Sequence, residues 1–253
     1  MSVSPISSIT RAATRDPDGP LNILTFPTHE RYETLLARTG HNFYSYHAPG
    51  IKHWNTDYAE IPDNYMLLDE SLEGRQVPLS LDLDLVLSQN KFGQFQIAHQ
   101  IADTLHLPMV SLEHTLPIPF WDQKMRSSLR NMRADANVFI SEYSIEGWNW
   151  DSQPDTLIIK HGVDSEAFKP EKGLKKESHI LSVVNDWINR DWCCGFSIWQ
   201  RVIEGLPHKV VGDTPGLSQP AASTEELVAT YQNSKIFLNT STISKTAPSL
   251  SDM

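Results

Sequence analysis

The sequence predicts an α/β protein: a doubly wound, Rossmann-like parallel sheet followed by a second lobe of the same design. Three observations carry that expectation. Short apolar runs alternate with amphipathic stretches almost without exception from residue 21 onward, the pattern of a parallel sheet with helices on both faces. One stretch sets Phe92, Phe95, Ala98, Ile101, Ala102 and Leu105 at three- and four-residue spacing, which aligns them on one helical face. The alternation breaks once, at DSEAFKPEKGLKKES (164–178), and restarts at HILSVVN (179–185). The charged break, with its single Pro and Gly, is the expected linker between a first domain over 21–163 and a partial second domain over 179–253.

Taken in order, the first domain opens with the strand LNILTF (21–26), a helix over 31–38 and the strand NFYSYH (42–47). After a loop rich in Pro, Asp and Asn come YMLLDE (65–70), LDLDLVLS (81–88) and the amphipathic helix already described. PMVSLEH (108–114), a helix over 122–133, NVFISEY (137–143), a short helix over 145–150 and TLIIKHG (156–162) complete it. The second series runs HILSVVN, a helix over 195–204, HKVVGD (208–213), a helix over 225–233 and KIFLNTS (235–241). Ser223 or Thr224, followed by Glu225 and Glu226, supplies a helix start signal for the last helix. In such a fold ligands sit beyond the carboxyl ends of the strands.

Composition narrows the function classes. The chain has 253 residues, 40% hydrophobic and 21% charged, enough apolar material for a sizeable core and no apolar run of membrane-spanning length. Its 21 Lys+Arg against 31 Asp+Glu give a formal charge of -10, which disfavours non-specific binding to nucleic acid or anionic lipid. A phosphorylated ligand therefore needs a local cationic pocket. The adjacent Cys193 and Cys194 are poorly placed for a structural disulfide, which suits a reducing, cytoplasmic setting. Residues 1–20 lack the apolar stretch of a secretory signal and are expected to form a flexible tail. No Gly-X-Ser-X-Gly elbow and no Gly-Lys-Ser/Thr phosphate loop occurs, so hydrolase and nucleoside-triphosphatase chemistry has no sequence support.

LIIKHGVDSEAFKP (157–170) resembles the segment that closes the first domain of GT-B fold glycosyltransferases, family 4 especially. Gly162, Val163, Asp164, Phe168 and Pro170 match that pattern, with His161 in place of the usual Asn. ILSVVNDWINRDWCCGF (180–196) looks like the opening strand and loop of the family's nucleotide-sugar-binding domain. The resemblance implies that Arg190 binds the donor's phosphates, a role suited to the fixed fork of a guanidinium. The family's Lys-Gly pair at the next helix is Cys194-Gly195 here. VSLEHTLP (110–117) ends a strand where the family carries a histidine facing the sugar, which implies a catalytic His114 able to hydrogen-bond a hydroxyl or move a proton. Glu113, one residue earlier, falls on the opposite strand face and receives no role. The loop SQNKFG (88–93) shares that edge and offers Asn90 and Lys91 as substrate contacts, whereas PTHERYE (27–33) lacks the paired glycines found in relatives.

The implied activity is metal-independent transfer of a sugar from a nucleotide-sugar donor to an unidentified acceptor hydroxyl, with retention of anomeric configuration and no cofactor. The resemblance stops where the family's Glu-X7-Glu element should stand: the chain reads STISKTAPSLSDM (241–253), and no glutamate pair at that spacing occurs in the second half. A C-terminally truncated enzyme of doubtful activity is the expectation, and a non-catalytic binding or interaction module is the alternative. A further alternative is a metal-dependent GT-A-like transferase using Asp82 and Asp84 as an Asp-X-Asp pair. Those aspartates precede the apolar residues of their strand, however, and so fall at the sheet's entry edge. His41, His47 and His53 recur every six residues, which matches neither the helical nor the strand spacing of compact zinc ligands. Trp148, Trp150, Trp187, Trp192 and Trp199 are expected mainly to pack in the core.

Overall fold

In the computed structural model, residues 5–78 and 80–242 are described. Two compact units emerge: the first runs to Lys160, apart from the short piece Asp57–Ala59, which belongs with the second, and the second begins at His161. The boundary thus falls before the charged stretch at 164–178. Part of that stretch is integral to the second unit, because Phe168 packs on the core of Leu181, Val183, Val211, Ala221 and Leu227.

The first unit contains α1 (Pro5–Thr14), β1 (Asn22–Thr25), α2 (Glu30–Ala37), β2 (Asn42–Ser45), β3 (Tyr65–Leu67), a 3-10 helix at Glu70–Arg75 and β4 (Leu85–Ser88). It continues with α3 (Phe95–Leu105), β5 (Met109–Glu113), α4 (Gln123–Arg130), β6 (Ala136–Phe139), α5 (Glu142–Trp148) and β7 (Thr156–Ile158). Its seven strands form one sheet in the order β3-β2-β1-β4-β5-β6-β7, and every pairing is parallel. Strands β1, β4 and β6 are buried over their last three residues, the signature of a sheet covered on both faces.

One face of the core gathers Leu24, Phe26, Val86 and Met109 around Phe95, Ala98 and Ala102 of α3, so the amphipathic stripe packs as its spacing requires. Phe92 departs from it: it precedes α3 and is 57% exposed. His106 ends the helix in the left-handed region at φ 53°. Asp122 and Ser141 cap α4 and α5, accepting the amides of Met125 and Ser144 at 2.7 and 3.1 Å. Of the segment expected to be a flexible tail, residues 1–4 lie outside the described residues, and Pro5–Thr14 form α1, where Ala, Ile and Arg are compatible with a helix and no Gly or Pro interrupts it after Pro5.

The second unit holds β8 (Glu177–Val183), α6 (Asp191–Cys194), α7 (Phe196–Val202), β9 (His208–Val211), α8 (Thr224–Asn233) and β10 (Ser234–Phe237). Its three strands lie in the order β10-β8-β9, again all parallel. Ser223 caps α8 through the Glu226 amide, and the Glu226 carboxylate accepts the Ala222 amide in return. β10 lies at one edge of this sheet, where Ile236 and Phe237 are 54% and 39% exposed. Trp187 and Trp199 are core residues of this unit, as Trp148 and Trp150 are of the first. Among the described residues no helix is long and apolar enough to cross a membrane.

Candidate functional site

The order of the large sheet creates a switch point between β1 and β4, since the chain leaves β1 toward β2 and β3 and returns across it to β4. Loops at the carboxyl ends of such a strand pair bracket the usual ligand crevice. Here those loops begin at Phe26 and Gln89, and His114 follows the last residue of β5 on the same edge.

Gln89, fully buried, organises this edge. Its amide Nε2 donates to Thr25 Oγ1 at 3.0 Å, to the Phe26 carbonyl at 3.1 Å and to both Glu33 carboxyl oxygens at 2.9 and 3.1 Å. With the nitrogen committed to acceptors, the amide oxygen faces His114, whose Nε2 lies 3.4 Å away. That contact is satisfied when His114 carries its proton on Nε2, a tautomer set by the network rather than by the ring itself. Tyr32 meets the same imidazole edge to face with ring centroids 4.6 Å apart. The Gln89 amide donates to Gln94 Oε1 at 2.9 Å, which fixes the loop at the start of α3.

Glu33 is the residue that sequence patterning misses. A carboxylate in the first turn of a helix looks like an ordinary complement to the helix dipole, yet Glu33 is fully buried on the inward face of α2. It accepts the Thr28 amide and hydroxyl at 2.9 and 3.0 Å and the Tyr65 hydroxyl at 3.4 Å. Burial pushes its carboxyl up to about 7, against the opposing pull of the Thr28, Gln89 and Tyr65 hydrogen bonds. Glu30, also buried, pairs with Lys52 at 2.8 Å and accepts the Asn55 amide at 2.9 Å.

The two loop residues expected to meet substrate separate. Asn90 stays half-buried, and its Oδ1 is enclosed without a hydrogen-bond partner among the described residues, an acceptor available to a donor group. Lys91 turns inward and is 2% exposed, which corrects its expected role as a substrate contact. Its ammonium donates to the Met132 carbonyl at 2.6 Å and lies 4.5 Å from the Trp150 ring centre and 5.1 Å from that of Phe95. Burial lowers its pKa to about 8, with nearby Glu113 opposing the shift. Glu113 is itself buried and has a structural part: it accepts the Lys91 amide at 2.9 Å and the Thr115 hydroxyl at 2.7 Å. Its carboxyl is raised by burial, with the Thr115 and Lys91 hydrogen bonds pulling the other way. The buried Lys91 and Glu113 thus hold the loop from within the unit.

Asp82 and Asp84 lie before β4, at the opposite edge of the sheet from His114. Asp84 accepts the Asn22 amide at 2.7 Å and pairs with Arg15 at 3.2 Å, so it is engaged in joining the start of β1 to the residue that follows α1. The evenly spaced histidines also part company. His41 Nδ1 accepts the Leu21 amide at 3.2 Å, whereas His47 and His53 come together with ring centroids 3.9 Å apart.

In the second unit, Arg190 precedes α6 in the loop after β8, at the carboxyl edge of its sheet. The loops there are laced together: Asn185 Oδ1 accepts the Asp213 amide at 2.8 Å, and the Trp187 amide donates to Thr214 Oγ1 at 3.1 Å. Asp191 accepts the Ser197 amide at 2.7 Å and its hydroxyl at 2.6 Å, which holds its carboxyl below the ordinary aspartate value. The first turn of α7, where a metal-free phosphate site needs open amides, therefore already holds an internal carboxylate. Cys193 and Cys194 are buried thiols with sulfurs 3.5 Å apart. No protein-family model matches the chain, and no curated protein matches it in sequence.

Proposed function

We propose that the chain is a glycosyltransferase-type protein that binds a nucleotide sugar through the carboxyl edge of its second unit and an acceptor through that of its first. One observation carries this reading: His114 stands at the carboxyl edge of β5, oriented by Gln89 and Tyr32, beside the switch point of a seven-stranded parallel sheet. An imidazole held by a buried amide is suited to hydrogen-bond a sugar hydroxyl and to relay its proton. Asn90 adds an enclosed acceptor on the neighbouring loop. Arg190, after β8, is the cation assigned to the donor's phosphates.

A second reading, binding without turnover, is favoured by the Asp191 carboxylate on the first turn of α7. The test separates binding from chemistry. Nucleotide diphosphate release from a panel of nucleotide sugars is measured alongside calorimetric binding of the same donors. Transfer chemistry requires release that falls at least about a hundredfold in His114→Ala, the range of a general acid–base group, and donor binding that weakens in Arg190→Ala. Donor binding without release supports the binding module. Release indifferent to His114→Ala overturns the role of that histidine, and absence of both binding and release overturns the proposal.

A further inference from the structure

We propose that His47, His53 and Glu70 form a zinc site with three protein ligands and an open coordination position. It uses none of the residues of the proposed transfer site. One donor atom from each residue can be chosen so that all three lie within 4.8 Å of one another. Both imidazole Nδ1 atoms stand 3.8 Å from the same carboxylate oxygen, Glu70 Oε2. That separation is too long for a hydrogen bond, which closes to about 2.7–3.2 Å. It is close to the spacing of about 3.4 Å that tetrahedral bonds of 2.0–2.2 Å impose on neighbouring zinc ligands. Movement of a few tenths of an ångström by the exposed Glu70 side chain closes these two gaps. Two imidazoles and one carboxylate are the donor set of an open zinc centre, with the fourth position left for water or a ligand.

The surroundings hold two of the three ligands ready. His47 follows β2, and its backbone is clamped on both sides by the buried Gln76, which accepts its amide at 2.9 Å and donates to its carbonyl at 2.6 Å. His53 sits between Lys52 and Asn55, both tied to Glu30, in a loop anchored in the core by Ile51. Glu70 opens the 3-10 helix that follows β3. The side chains of His53 and Glu70 are 67% and 61% exposed, so a metal ion can enter from solvent, while that of His47 is only 13% exposed. A bound ion would clip the loop after β2 to the segment after β3, two pieces of chain that the six-residue histidine spacing alone cannot join.

The full chain, stripped of metal with a chelator, is titrated with Zn2+ against a chromophoric competitor and with Co2+ by visible absorption. One equivalent of Zn2+, intense visible Co2+ bands of a four-coordinate site and a raised melting temperature are expected. His53→Ala and Glu70→Gln should each weaken Zn2+ at least tenfold with the circular dichroism spectrum unchanged, because both side chains are mostly exposed. His99→Ala, which breaks the separate His99–Asp103 pair, should leave binding intact. Absence of stoichiometric binding overturns the site. So does binding that survives either ligand substitution, or that falls equally in His99→Ala.

Discussion

The buried carboxyl of Glu33 makes a quantitative demand on the pH dependence of stability. In the unfolded chain a glutamate titrates near 4.5, whereas in the fold Glu33 titrates at about 7. Between those values the unfolded state releases its proton and the folded state keeps it. Stability contributed by the protonated, buried group is therefore complete below pH 4.5 and lost as pH rises toward 7. The shift corresponds to roughly 3 kcal/mol, or about 6–12 °C in melting temperature for a unit of this size. Glu33→Gln removes the titration. It also turns a second amide toward the Gln89 nitrogen, so its absolute stability is the wrong comparison. The informative quantity is the wild-type value minus the variant value, followed by urea unfolding from pH 4.5 to 8. That difference should move by about 3 kcal/mol in favour of the variant as pH rises. A difference that stays flat, or moves the other way, refutes the assignment of a buried, proton-holding carboxyl to the switch point.

Lys91 should behave as the mirror case. Its pKa is lowered to about 8 from an ordinary 10.5, so its contribution is present above 10.5 and lost as pH falls to 8, and Lys91→Met should flatten that rise in urea-unfolding profiles. Gly212 has φ 131°, and a Cβ there would meet the Val184 carbonyl oxygen at 2.1 Å. Gly212→Ala should accordingly cost about 3 kcal/mol or more in the second unit, seen as lost hydrogen-exchange protection in β8 and β9 while β1 and β4 keep theirs.

The α/β class and most of the strands and helices were legible in the sequence because parallel strands buried on both faces need continuous apolar runs, and covering helices need a 3.6-residue stripe. The entry-edge position of Asp82 and Asp84 followed from the same logic, since apolar residues lie only after them. The family resemblance marked His114 and Arg190, and both follow strands on the carboxyl edge of their sheets. Lys91, Glu113 and Glu33 escaped because one-dimensional patterns sort charged residues to the surface. Their burial depends on partners far along the chain: Met132 for Lys91, and Gln89 and Tyr65 for Glu33. The helix over Pro5–Thr14 escaped for a different reason, as absence of a signal peptide says nothing against a local helix.

The sequence by itself determined the rhythm of elements, the break before the second series and the edge on which polar loops gather, all properties written in neighbours within a turn or two. Only the tertiary structure decided which polar side chains meet. His47 and His53 match no ligand spacing, yet the parallel pairing of β2 with β3 brings the segments after both strands together and places Glu70 beside the two rings. Gln89 similarly joins residues from β1, α2 and the end of β5. Such convergence is set by strand order and crossover, which carry distant segments to one edge of a sheet. Local periodicity contains no record of that order.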